Sequence, residues 1–102
     1  MKPEPAVRLD LNNPVFQRQL FALDGDQQRK VLGSLRKLSG MTWHQVYRDA
    51  GLRWEAVVSR SGPHGRRLYS MRIGRGFRAV AYREESWLRI LTLHPDHDSA
   101  YR

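Results

Sequence analysis

The hydrophobic rhythm of this chain changes near its middle. Up to Ala50 the apolar positions recur at helical intervals; from Leu52 onward they fall in short runs rich in β-branched and aromatic residues. In "NNPVFQRQLFAL", Phe16, Leu20 and Leu23 share one face, Asn13 is a natural cap, and Pro14 suits the first helical position. After the break at Asp24-Gly25, "DQQRKVLGSLRKLSG" places Val31, Leu35 and Leu38 on a stripe and stops at Gly40. So short a connection predicts a helical hairpin. "MTWHQVYRDAG" predicts a third, short helix, capped by Thr42 and ended by Gly51, and "AVRLDL" a short first strand.

Four strands follow: "RWEAVVS", "RLYSMRI", "FRAVAYR" and "WLRILTL", separated by "RSGPHG", "GRG" and "EES". Such tight separators predict antiparallel hairpins. Helices first and strands later give an α+β fold: an N-terminal helical hairpin packed on one face of a mainly antiparallel sheet of four to five strands. The length suits a single domain over residues 1–102, with residues 1–6 a loose N-terminus. With Gly74, Arg75 and Gly76 as a loop, Ile73 pairs with Phe77, Arg72 faces Arg78, and Ser70 faces Val80. Tyr69, Met71, Ile73, Phe77, Ala79 and Ala81 then cover the helices, and the opposite face is expected to be open, with two arginines side by side. Like charges directly opposite destabilise a sheet, so an anion between them is the expected relief. The next hairpin returns the chain to this end, carrying His94, Asp96 and His97 toward the arginines.

Charge strengthens this picture. The formal net charge is +8, and the run from Arg60 to Arg83 holds Arg60, Arg66, Arg67, Arg72, Arg75, Arg78 and Arg83 with no acid among them. Nucleic acid, an acidic protein segment or an anionic membrane would each fit such a run; arginine favours bidentate contact with phosphate or carboxylate, and for RNA the candidate contacts are Arg60, Arg66, Arg67, Arg75 and Arg83. Arginines that hold a phosphodiester, with a histidine that moves a proton, meet the needs of RNA cleavage by the 2′-hydroxyl. His97 is the candidate general acid and Tyr101 the candidate stacking or positioning group; His94 and Asp96 are candidate base or support. His94, Asp96 and His97 match no metal-ligand spacing and lack an evident fourth ligand, so no metal and no cofactor is expected. His44 and His64 stand alone. The chain has no cysteine, and its opening "MKPEPAVRLD" has no apolar stretch of a secretion signal. No run reaches the length of a membrane span. A cytoplasmic protein without a membrane partner is expected.

The stretch "LYSMRIGRGFRAVAYREESWLRILTLHPDHDSAYR" resembles the RelE/ParE superfamily of bacterial toxins. Its carriers are a Tyr-x-Met-Arg strand, a Gly-Phe-Arg turn, an alternating apolar strand and a polar terminal cluster with an aromatic. The resemblance covers Leu52 to Arg102; the N-terminal half matches in layout. It implies a toxin held in check by an antitoxin protein. For RelE-like members it implies metal-independent cleavage of mRNA on the ribosome, which inhibits translation. Arg72 falls on a basic strand position of that active site and Arg78 on the arginine that contacts the scissile phosphate. Tyr101 falls on the terminal aromatic, and His97 on the general-acid histidine of the YafQ-like branch, which ends His-x-x-x-Phe. Ser70 stands where RelE has a lysine, and the helix at "TWHQVYRD" replaces a loop. Two other implications stand beside the nuclease: a ParE-like inhibitor of DNA gyrase, and an inactive member that only binds a partner.

Overall fold

A computed structural model describes residues 4–96. In chain order the elements are β1 (Arg8–Asp10), α1 (Pro14–Ala22), α2 (Gly25–Ser39), α3 (Trp43–Arg48), β2 (Glu55–Ser61), a 3₁₀ turn (Pro63–Gly65), β3 (Arg67–Gly74), β4 (Phe77–Glu84) and β5 (Trp87–His94). The helices begin where side chains can satisfy their first amides. Asn13 accepts from Val15 N and Phe16 N, and Asp24 from Gln27 N. Thr42 and Gln45 form a reciprocal capping box on α3. Helix α3 ends at Arg48, three residues before Gly51, because Asp49 turns to accept from Leu52 N at 2.7 Å.

The five strands form one mixed sheet in the order β1-β5-β4-β3-β2; β1 runs parallel to β5 and the other pairs are antiparallel. One face is covered by the helices. Phe16, Val31, Leu35, Leu38, Trp43 and Val46 pack against Met71, Phe77, Ala79, Ala81, Leu88, Ile90 and Leu93. Trp43 is pinned by its indole N–H, which donates to Ser86 O at 2.9 Å. Tyr69 lies beside this core, stacked on Trp54 with ring centroids 4.8 Å apart.

Two expectations need correction. The β3–β4 turn holds two residues, Arg75 and Gly76: Gly74, and not Ile73, pairs with Phe77, and Ile73 is the extra residue of a bulge. Gly76 sits at φ +68°, a conformation that favours glycine. The outer face of the sheet is also not open throughout. Val57, Leu68 and Val80 form a small apolar cluster there with Tyr82 and Leu91, and Ser70 and Arg78 are buried among the sheet residues. A bulge between Val80 and Ala81 in the β4–β5 register makes Leu91 the extra residue of β5. That bulge lets Ile90 and Leu93, three apart, both face the helices. Among the described residues no helix is long and apolar enough to cross a membrane.

Candidate functional site

The register puts Arg72, Arg78 and His94 in one row across three adjacent strands. Arg72 pairs with Arg78, and Arg78 pairs with His94. Directly opposed residues point to the same side of a sheet, and neighbouring strands lie about 4.8 Å apart, so the three side chains converge on the outer face. Arg72 is exposed. Arg78 is only 8% exposed, and its Nη1 has no hydrogen-bond partner among the described residues. Neither arginine forms an ion pair among the described residues. A buried cation without a counterion is costly, and here a second cation stands opposite. The arrangement offers two guanidinium groups, one desolvated and incompletely bonded, to an oxyanion.

His94 is half-buried at the end of β5. Thr92, two residues earlier on the same face, is hydrogen-bonded through Oγ1 to His94 Nε2 at 2.8 Å. Helix α1 steadies this end of the strand: Gln19 Oε1 accepts from Leu93 N at 2.7 Å. Burial pushes the His94 pKa below its ordinary value, and the positive charge of Arg60 lowers it further. The ring is therefore held neutral near pH 7, the form that accepts a proton. Asp96 follows Pro95 just past the strand, exposed.

The remaining sequence candidates are distributed. Arg60 lies in the irregular part of β2, between Val57 and Ser61, near enough for its charge to act on His94. Arg75 is exposed at the turn beside the row. Arg67 stands at the opposite end of β3, paired with Ser61, and Arg66 bonds Glu84 at 2.7 Å. Arg83 lies on the helix side, 4.5 Å from the Trp43 ring centroid, donating to Tyr47 Oη at 2.7 Å and Glu85 O at 2.6 Å. His97 and Tyr101 lie outside the described residues. Among the described residues no three His, Asp or Glu side chains gather to hold a metal. Thr92 was missed by sequence reading although the period of two puts it beside His94. The approach of Arg60 to His94 leaves no local signal, since the two residues are distant in sequence.

No protein-family model and no curated protein matches the chain. Among solved structures, the archaeal RelE–RelB complex from Pyrococcus horikoshii OT3 aligns with a TM-score of 0.58 at 19% identity, covering 91% of this chain and 96% of that one. A copper-bound mutant toxin from Helicobacter pylori aligns with a TM-score of 0.49 at 18% identity, over 91% of this chain and 94% of that one. The likeness to the archaeal protein is one of fold: three helices on a five-stranded, mostly antiparallel sheet, RelE-like in arrangement.

Proposed function

We propose that this chain is the toxin of a toxin–antitoxin pair, and that it cuts mRNA on the ribosome without a metal and so inhibits translation in the cytoplasm. The observation that carries the reading is Arg78: buried, short of a hydrogen-bond partner, opposed by Arg72 and flanked by His94. The RelE-like fold and the partner protein in the archaeal complex support a toxin with an antitoxin of its own.

In the proposed reaction Arg72 and Arg78 bind the non-bridging oxygens of the scissile phosphate. Neutral His94 takes the proton of the 2′-hydroxyl. The 2′-oxygen bonds to phosphorus while the bond from phosphorus to the 5′-oxygen breaks. His97 gives a proton to that leaving oxygen, and Tyr101 positions the substrate. The products are a 2′,3′-cyclic phosphate and a 5′-hydroxyl. Negative charge grows on the phosphoryl oxygens during the step, so preorganised guanidinium donors favour the transition state over the ground state.

Induced expression tests the reading. Rapid loss of protein synthesis with cut mRNA is expected. DNA damage with continued translation would point to gyrase instead, and no growth effect to a member that only binds a partner.

A further inference from the structure

The row across the sheet ends at Arg72, but the basic surface turns the corner there. Beside Arg72, between α2 and the end of β3, lies a groove of about 500 Å³ whose lining includes Lys30, Ser34, Lys37, Leu52 and Gly74. Helix α2 supplies Lys30, Ser34 and Lys37 at steps of four and three, so they form one stripe along the groove. At a rise of 1.5 Å per residue the two lysines stand about 10 Å apart along the axis.

Glycine shapes the groove. A Cβ on Gly74 would meet Lys30 Cδ at 3.3 Å, and one on Gly51 would meet Lys37 Nζ at 3.8 Å. Each lysine therefore lies across bare backbone. Gly33, also on the lining, sits inside α2, where a Cβ would meet nothing within 4 Å. Glycine there costs the helix roughly 1 kcal/mol relative to alanine, and no packing contact requires it. The lysine charges are only partly offset. Lys37 bonds Asp49 Oδ1 at 3.0 Å, whereas Lys30 and Arg72 have no carboxylate at ion-pair distance among the described residues.

We propose that this groove holds the sugar-phosphate backbone of the RNA strand on one side of the cleavage point, with Arg72 shared between groove and site. The inference rests on the proposed function. A polyanion with regularly spaced charges fits better than an acidic peptide. Peptide docking relies on apolar anchors as well as charge, and here Leu52 is buried and Ile73 half-buried. Bare backbone and a serine hydroxyl suit close approach to phosphate and sugar, contacts that position a strand without reading its sequence.

The test is binding of a short single-stranded RNA to the full chain across a salt series, for wild type, Lys30→Gln and Gly33→Glu. Gly33→Glu adds a carboxylate to the groove at a helix position with room for it, so it is expected to fold. Losing one phosphate contact lowers the log–log salt slope by about 0.7. Losing a charge-assisted hydrogen bond weakens binding roughly ten-fold. Both effects are expected in Lys30→Gln, weaker binding is expected in Gly33→Glu, and in cleavage assays the loss is expected in KM. If wild type cuts mRNA on programmed ribosomes and both variants bind the short RNA unchanged, the groove proposal is overturned and the nuclease reading stands. Groove-dependent RNA binding by a wild type that cuts no mRNA on programmed ribosomes supports the groove and overturns the nuclease. A glutamate-rich peptide that binds in a Lys30-dependent way, with no RNA binding, overturns the groove proposal in favour of an acidic protein partner.

Discussion

Replacing Arg78 by methionine separates stability from function. The side chain is 8% exposed, Nη1 lacks a hydrogen-bond partner among the described residues, and Arg72 stands directly opposite. A buried polar group left unsatisfied costs about 1–3 kcal/mol. A like-charge pair across strands adds about 0.2–1 kcal/mol. Methionine keeps much of the arginine stem's volume and removes both penalties. Arg78→Met is therefore expected to stabilise the protein by about 1–3 kcal/mol, each kcal/mol raising Tm by roughly 4 °C or more in a domain of this size. A ligand gives an independent reading. Phosphate at a hundred times its dissociation constant stabilises a protein that binds it by about 2.7 kcal/mol. Wild type should show such a shift and Arg78→Met should lose most of it. The assay is thermal and urea unfolding of both proteins, with and without phosphate at constant ionic strength. If Arg78→Met is destabilised by 1 kcal/mol or more, or if phosphate stabilises both proteins equally, Arg78 is not an anion receptor held at a cost to the fold.

The other predictions concern pH, capping and packing. Because the His94 pKa is lowered in the folded state, the unfolded chain binds more protons below the ordinary value of 6.5; stability should fall as pH drops through that window, and urea midpoints should lose this slope in His94→Gln. Asp10 adds a second loss at lower pH: burial raises its pKa, but hydrogen bonds from Asn12 and Arg89 outweigh this and hold it below 3.8, so Asp10→Asn should flatten the acid limb of the same titration. Asp24→Ala, which removes the α2 cap, should cost about 1 kcal/mol in urea unfolding, with Asp24→Asn close to wild type. Gly62→Ala should cost about 1–3 kcal/mol, since its Cβ would lie 2.4 Å from Leu68 Cδ2 in the outer apolar cluster.

The layout of the fold was legible because local signals agreed with it. Asn13, Thr42 and the Gly-rich separators mark real element ends, and the switch from helical to alternating periodicity divides helices from sheet. The sequence pattern yields the Arg72–Arg78 pairing with a different turn from the one the structure holds. A three-residue loop and a two-residue turn plus one bulged residue consume the same length of chain, so the register beyond Ile73 is identical. The burial of Arg78 was not legible. The outer face of the sheet also carries the cluster of Val57, Leu68 and Val80, which joins three strands, and a period of two cannot report such a cluster. Leu91 misleads for a related reason: strict alternation groups it with Leu93, and the β5 bulge sends it to the other face. Arg83 looked like its neighbours in the run of arginines, yet its partners Trp43 and Tyr47 come from α3, distant in sequence.

The central claim is that Arg78 and its row catalyse RNA cleavage. Its most direct test is single-turnover cleavage of mRNA in programmed ribosomes, mapped by primer extension, for wild type and folded Arg78→Met. Removing one preorganised donor to a developing oxyanion typically costs about 10²–10³-fold in rate, and we predict a loss of that size. Equal cleavage rates for the two proteins, or no cleavage by wild type, would contradict the account.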